Sequence, residues 1–467
     1  MLTRVRGHLS GYARALRQRG SFAQNFAVMF SATATTAAVG LLVSPIMARL
    51  YAPAAYGVFA VFNGLVSNVT MISTLAYPSA FLLPRQPKRF YALVQLSLLL
   101  ALGNFVLVSG GLLLLRGPLL RWLQVESLGH WVYVVPATAF VYNLMLIMNA
   151  WYLRTKEFRK QASINVAISL TGRGLTLGAG VLLHGSPAGL LLGEVFTKLM
   201  GTGLVFFSGI NRRLGELMRH FSWARIRAVA CEYREYPLYV ASGGYLNTLA
   251  LQLPTLLLTS AFGPAAVGLY AFSTSLLELP LNLVGVAISP VFLQKATETH
   301  QEEPARLPAL CLDLYNKLLY LGLVPFGIIT VYGDWIFRFV FGLRWEAAGL
   351  FTAYLGYYYM FRLASYATSP IYAVLRRQRL ALWGVVALVL VRAAGLGVGI
   401  YAHDLHLGML LFGVGSLAVT FAVDMNILYL LGVPVWRVAL RSVGLVLLTL
   451  AVLFALRLGL QSLLGWH

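Results

Sequence analysis

The stretch "LYAPAAYGVFA", residues 50–60, returns as "AFGPAAVGLYA" at residues 261–271. With Pro53 set on Pro264, five of eight positions are identical (Pro, Ala, Ala, Gly and Ala), and Phe59 falls on Tyr270, another aromatic. Each copy stands between two long apolar runs. A proline is tolerated at the first position of a helix because the N–H it lacks would have no intrahelical partner there. A glycine a turn later lets a second backbone come close. Each copy therefore reads as the tight turn of a helical hairpin, with Pro53 and Pro264 opening the returning helices and Gly57 and Gly268 relieving crowding. A chance match of two Pro/Gly turns is the competing explanation.

Composition identifies the solvent around those hairpins. Of the 467 residues, 59% are hydrophobic and 11% charged, with a mean hydropathy of +0.76, whereas soluble domains carry ~25% charged residues. The chain reads as a membrane protein. A helix needs ~20 apolar residues to cross ~30 Å of hydrocarbon. Windows of that length occur thirteen times, near residues 24–48, 57–83, 90–115, 131–153, 161–183, 186–208, 237–262, 265–294, 312–333, 347–374, 380–402, 407–431 and 439–464. The two hairpin turns are offset by six spans. An even offset preserves direction across the bilayer, so the halves are expected to be parallel repeats related by an axis along the membrane normal. The predicted fold is all-α, with two six-helix lobes around a central cavity over residues 24–208 and 237–431. A basic cytoplasmic arm over 1–23 precedes them, an amphipathic cytoplasmic linker over 209–236 joins them, and 432–467 adds a transmembrane helix.

Lysine and arginine set the orientation, because cytoplasmic connections retain positive charge. With the N-terminus inside, 26 of the 36 basic residues fall in inner segments, among them Arg154, Lys156, Arg159 and Lys160, and six fall in outer ones. The net charge of +21 is then a topology signal that also suits an anionic inner leaflet, so membrane lipids are expected partners. Nucleic-acid binding would need a soluble basic domain, which the sequence lacks. Cys231 and Cys311 both fall on the inner side, where disulfides do not persist. The Arg-rich first twenty residues look like the positive region of a signal peptide, but the apolar stretch over 24–48 is too long for one. An interfacial arm ahead of a retained first span fits better.

Four bases remain, and they lie inside spans: Arg173, Lys198, Arg362 and Arg392, two in each half. Each is ~12–15 residues into its span, near mid-bilayer at 1.5 Å per residue. Buried charge is costly unless paired, so such residues are candidates for function. Glu194 stands four residues before Lys198 on one helical face, which favours a local pair. Arg173 is flanked by Gly172 and Gly174, which admit a neighbouring helix or a ligand. Arg362 and Arg392 have no acid in their own spans, although Glu278 and Asp424 lie in the same half. Glu278 is two residues before Pro280, whose missing N–H is expected to open the helix and leave a carboxylate able to carry a proton or cation. A salt bridge to an arginine is the competing reading. The aromatic run "YLGYYYMF" over 354–361 fits helix packing better than a sugar path.

The stretch "SPIMARLYAPAAYGVFAVFNGLVSNVTMISTLAYPSAFLLP", residues 44–84, has a first span ending in Arg-Leu-Tyr, a Pro turn, then Tyr-Gly and an aromatic. It resembles the first hairpin of the polysaccharide (O-antigen and exopolysaccharide) lipid flippases of the multidrug/oligosaccharidyl-lipid/polysaccharide exporter superfamily. "STSLLELPLNLVGVAISPVFLQKATE", residues 273–298, is similar to the same family's eighth span. The resemblance covers spans one to twelve. It departs at "LAYPSA", where Ala76 and Pro78 stand in a segment that often carries Arg and Glu in the family, so no substrate contact transfers there.

The resemblance implies a transporter of the bacterial inner membrane. It would move polyprenyl-diphosphate-linked oligosaccharides from the inner to the outer leaflet by alternating access, for lipopolysaccharide O-antigen or exopolysaccharide synthesis, with a polysaccharide polymerase as an expected partner. Such a protein must offset a diphosphate inside hydrocarbon, and arginine suits the task because its planar fork donates two parallel hydrogen bonds and stays charged. Arg362, Arg392, Arg173 and Lys198 are the expected substrate-binding residues, and Glu278 is the candidate for ion coupling. A multidrug exporter of the same superfamily is the nearest alternative, and its cationic substrates would call for more acids than bases. A membrane-embedded glycan polymerase or ligase is the alternative of another class. The outer connections, ~15 residues around 116–130 and a short one around 334–346, are small for it. No enzyme activity, cofactor or metal is expected, since no nucleophile–base pair or nucleotide loop occurs and His184, His403 and His406 read as loop residues.

The charge asymmetry and the odd number of spans predict a cytoplasmic N-terminus and an external C-terminus. A reporter fused at His467 should be active only outside the cytoplasmic membrane, and activity confined to the cytoplasm would break the thirteen-span topology.

Overall fold

The computed structural model describes residues 22–114 and 126–464, and these are helical with no strand among them. Most of the basic arm, and the greater part of the outer connection near 116–130, lie outside the described residues. The long helices are α1 (Phe22–Leu50), α2 (Pro53–Ser73), α3 (Pro87–Leu114), α4 (Val134–Thr155), α5 (Phe158–Leu182), α6 (Pro187–Val205) and α7 (Ser242–Glu302). They continue with α8 (Leu307–Phe341), α9 (Glu346–Thr368), α10 (Gln378–Tyr401), α11 (Leu405–Leu430) and α12 (Val435–Leu464). Within α7 the backbone leaves helical values at Gly263 (φ 79°, ψ −179°), so two helices meet there. Every sequence window thus carries a helix. Among the described residues, ten stretches are long and apolar enough by length and composition to cross a membrane, Tyr236–Gly285 counting as one of them. The windows of α5 and α9 fall short of that mark, and these are the helices that carry Arg173 and Arg362.

Three local expectations are corrected. The second span ends at Ser73 because Leu75 and Ala76 take positive φ (50° and 58°) and Tyr77–Ala80 tightens into a 3-10 turn. The linker is two short helices, Leu214–Arg219 and Trp223–Glu232, because Ser222 is extended and starts the second afresh. Pro280 does not open its helix, since α7 keeps helical dihedrals except at Gly263. A proline inside a spanning helix frees one carbonyl, which local adjustments and neighbouring groups can re-satisfy.

The chain forms two compact units, the first comprising the described part of Met1–Val43 with Val58–Leu256, and the second Ser44–Gly57 with Leu257–His467. In the first, α3 packs on α4, α4 on α6 and α6 on α5, while Trp223–Glu232 lies along α3 and buries Ile226 and Val229. Phe90 is the hub of that core, meeting Phe81 and Trp151 edge-on at 5.5 and 5.2 Å. In the second unit α9 is central. It packs on α8 and α11, with α10 against α11 and α12 against α8. Residues around the whole circumference of α9 are buried, as a helix enclosed by other helices requires.

The duplicated turns meet inside the second unit. A Cβ on Gly57 would overlap the carbonyl oxygen of Pro264, and a Cβ on Gly268 would overlap that of Pro53. The contact is reciprocal, so each copy of the phrase is the partner of the other, in the manner of a self-complementary interface about a two-fold axis. Behind it the fully buried Trp345 donates Nε1–H to the carbonyl of Ala48 at 2.7 Å. Tyr56 stands edge-on to Trp345 and Phe272, at 5.1 and 5.3 Å.

Gly57→Ala and Gly268→Ala should each destabilise the protein by about 1–3 kcal/mol or more, because an added methyl meets rigid backbone. Gly103 of α3 has nothing within 4 Å of its Cβ position, so Gly103→Ala should be neutral or gain up to about 1 kcal/mol from helix propensity. Thermal unfolding of the purified protein in detergent compares the three, and equal midpoints would remove the reciprocal contact from the argument.

Candidate functional site

Polar side chains of α9 recur at helical spacing, with Tyr358, Arg362 and Ser365 three or four residues apart on one side. Around them α7, α10 and α11 bring Glu278, Arg392, Ser416 and Asp424. Arg362 donates Nη1–H to Glu278 Oε1 at 3.2 Å. The Tyr359 hydroxyl reaches the same oxygen at 3.5 Å, and the guanidinium lies 5.7 Å from the Tyr359 ring centre. The salt bridge that competed with the proton-carrier reading of Glu278 is therefore present. Its side chains remain 35% (Arg362) and 41% (Glu278) exposed. A guanidinium has five donors, and among the described residues only Nη1 of Arg362 finds an acceptor. The rest of the fork remains available to a ligand.

Arg392 is housed differently. It is only 6% exposed, donating Nε–H to Ser416 Oγ at 3.0 Å and Nη2–H to the Tyr358 hydroxyl at 2.5 Å. The faces of Tyr358 and Phe412 lie 5.2 and 5.0 Å from its guanidinium carbon. No carboxylate comes within salt-bridge distance among the described residues, so hydroxyls and aromatic faces take the place of a counter-ion. Asp424, which the sequence offered as a compensating acid, is fully buried and accepts from Ser365 Oγ at 2.9 Å and Thr368 Oγ1 at 2.5 Å. Among the expected site residues, the structure brings Arg362 and Glu278 into direct contact and joins Arg392 to them through α9. The tyrosine run does pack, as its composition suggested, but Tyr358 and Tyr359 also solvate the two arginines. Their helical spacing with Arg362 was the signal available in the sequence.

In the first unit Lys198 pairs with Glu194 at 3.1 Å, as their spacing predicts, and stands 3.9 Å from the Tyr142 ring centre. Arg173 lies against α1, where a Cβ on Gly40 would come within 2.7 Å of Nη2. Of its flanking glycines, Gly172 faces Thr197 of α6 closely enough to exclude a Cβ, whereas Gly174 meets nothing within 4 Å. His406 approaches the Tyr354 hydroxyl at 3.5 Å. No group of three His, Cys, Asp or Glu side chains suited to a metal ion occurs among the described residues.

Ten stretches long and apolar enough to cross a membrane, among the described residues, define a multi-pass membrane protein. The chain belongs to the family described as polysaccharide biosynthesis protein, which it matches over residues 46–349. It is 22% identical over 315 residues to the succinoglycan biosynthesis transport protein ExoT of Rhizobium meliloti (strain 1021), covering 65% of this chain and 59% of that protein. The lipid II flippase MurJ in an inward closed conformation shares the fold with a TM-score of 0.62 at 13% identity, covering 94% of this chain and all of that one. An inward-facing multidrug resistance MATE family transporter of the MOP superfamily gives 0.60 at 15% identity, covering 93% and 98%. A mutant of the Vibrio cholerae MATE transporter VcmN gives 0.51 at 16% identity, covering 94% and 99%. At these identities the structural likeness is one of fold.

Arg362→Ala and Glu278→Ala should each destabilise the protein by about 1 kcal/mol, a modest amount because both groups are a third or more exposed, and the double variant should recover most of it. Arg392→Ala leaves two buried hydroxyls and a hole, and should cost about 2–4 kcal/mol. Unfolding midpoints in detergent decide the order, and an Arg362→Ala loss equal to that of Arg392→Ala would contradict the distinction between an open and a closed cation.

Proposed function

We propose that the protein translocates polyprenyl-diphosphate-linked oligosaccharide repeat units from the inner to the outer leaflet of a bacterial inner membrane, by alternating access, with its N-terminus in the cytoplasm. The observation that carries this reading is the guanidinium of Arg362, 35% exposed and held by one carboxylate contact, with the rest of its fork finding no acceptor among the described residues. A diphosphate can accept two parallel hydrogen bonds from such a fork. Its arrival would compete with Glu278 for Arg362, and the carboxylate so released is the candidate for ion coupling. Arg392 fixes the Tyr358 side of α9 and so the position of Arg362. Arg173 and Lys198 supply positive charge in the first unit, with Lys198 already half neutralised by Glu194. Membership of the polysaccharide biosynthesis family and the likeness to a succinoglycan transport protein support a sugar polymer as the destination of the cargo. A polysaccharide polymerase would take the unit on the far side.

The test is surface polysaccharide, measured with inner-membrane protein level, in cells whose only copy is a variant. Arg362→Lys keeps the charge and loses the fork, and should retain more export than Arg362→Ala, which should lose most of it. Normal polysaccharide with Arg362→Ala at normal protein level would eliminate this residue as the counter-charge. Drug efflux with no polysaccharide defect in the deletion strain would favour the multidrug exporter instead.

A further inference from the structure

The first unit contains an apolar chamber of about 480 Å³ near the end of α3, α4 and α6 that the charge bias places in the cytoplasm. Leu98 of α3, Leu144 and Met148 of α4, Leu199 of α6, and then Phe206 and Leu217 beyond α6 line it. Two lining side chains carry polar groups, the indole N–H of Trp151 and the hydroxyl of Thr202, and Thr202 already donates to the carbonyl of Val141 at 2.9 Å. Protein interiors leave few voids larger than a water molecule, and an apolar cavity of ~150 Å³ stays dry and takes benzene. This chamber is larger and open on one side, with Leu199 46% exposed, and its walls are almost wholly apolar, which suits a hydrocarbon chain rather than water or a sugar.

Charges stand at its rim. The turn that contributes Phe206 and Ile210 to the wall also contains Gly209, whose φ is 143°. A Cβ there would come within 3.0 Å of Lys160 Nζ. Lys160 and Arg213 share a single carboxylate, Glu157, at 3.4 and 3.1 Å, and all three side chains are partly exposed. Glu216, on the short helix that supplies Leu217, is taken by the Tyr91 hydroxyl at 2.5 Å. Arg154 is engaged with the carbonyls of Phe81 and Pro84 at 2.5 and 2.7 Å. Lys160 and Arg213 therefore face one acid, Glu157, beside the turn that carries Phe206 and Ile210.

We infer that this chamber and its rim form a reception site for an isoprenoid diphosphate, with the chain among Leu98, Leu144 and Leu199 and the diphosphate displacing Glu157 from Lys160 and Arg213. The inference rests on the flippase reading and adds to it a place, separate from Arg362, where the lipid end of the cargo is first held. Two cations sharing one acid match a head carrying more than one negative charge better than a phosphodiester carrying one, which favours the carrier lipid over a bilayer phospholipid.

Binding to the purified full-length protein in detergent tests this, with farnesyl diphosphate as the probe and farnesol, inorganic pyrophosphate and phosphatidylglycerol as comparisons. Farnesyl diphosphate should bind at least about tenfold more tightly than farnesol, because each charge-assisted bond is worth about that factor, and at least about tenfold more tightly than pyrophosphate, because burying each CH2 of the chain adds to the affinity. Replacing both rim cations, Lys160→Ala with Arg213→Ala, should reduce its affinity to that of farnesol. Leu144→Trp, which fills the chamber, should reduce it to that of pyrophosphate, and the rim variant gives an independent result should that protein fail to fold. Equal binding of phosphatidylglycerol, or of farnesyl diphosphate to wild type and rim variant, would overturn the proposal. These readouts involve no transport, so a chamber that fails leaves export through Arg362 standing, and normal polysaccharide in the deletion strain would refute the flippase reading whatever the chamber binds.

Discussion

A charge held within hydrocarbon has to find its solvation in protein, and the second unit is organised around that constraint. Water would supply hydrogen bonds to a guanidinium from every direction; inside a span they come from side chains whose helices are fixed for the purpose. The central helix α9 meets the requirement for two arginines at once. It carries Arg362 itself and presents Tyr358 to Arg392 of α10, while α7 contributes Glu278 and α11 contributes Ser416. The Glu278 and Tyr358 contacts fix the rotations of α7 and α10 relative to α9, and the Ser416 contact ties α11 to α10. The cost appears in the composition of α9, which is the most tyrosine-rich of the spans and not apolar enough to stand in lipid alone. Enclosure by α8 and α11 makes that tolerable, and it depends on close backbone approach, as where Gly333 and Gly349 face each other without room for a Cβ on either.

Much of this was readable beforehand because a bilayer imposes a length on every element. Thirteen apolar windows became thirteen helical stretches, with the seventh and eighth meeting at Gly263. The repeated Pro/Gly phrase marked both turns, and the i,i+4 spacing of Glu194 and Lys198 was enough to predict their pair. Features set by a few local dihedrals were not readable. Leu75 and Ala76 adopt positive φ although neither is a glycine, so nothing in their identity announced the early end of α2. Pro280 advertised a break that its surroundings repair. The borders of the compact units, after Val43, Gly57 and Leu256, fall inside α1, α2 and α7, where periodicity continues unbroken.

The site was legible as a list of charges and opaque as a set of partnerships. Glu278 and Arg362 are 84 positions apart in sequence, and no spacing rule connects two helices that meet only through packing. The tyrosines are harder still, because a sequence does not distinguish a ring that packs from a hydroxyl that bonds. In a span they are compatible: a phenol buries its ring and still delivers a hydroxyl at its tip. Tyr358 does both, lying buried at 3% exposure while accepting from Arg392. Asp424 shows the converse error. Opposite charge within one half of a protein is not evidence of contact, and two hydroxyls one turn apart on α9 were nearer to it than any arginine.

The three expected site cations with resolved partners, Lys198, Arg362 and Arg392, differ in how freely each can exchange them, and on the proposed function that difference bears more on transport than the number of charges does. Lys198 is a compact charge already matched by a carboxylate on its own helix and covered by a tyrosine face. Arg392 is closed in by neutral groups that fill its surroundings. Only Arg362 combines a single charged contact with more than a third of its side chain open. A transporter must bind its cargo and also let it go, so its counter-charge should be neither unpaired, which would hold an anion too tightly, nor sealed, which would hold none. A guanidinium resting on a replaceable carboxylate lies between those limits. On the proposed function, the binding of an anion would be an exchange of one partner for another, and the return of Glu278 would drive its release.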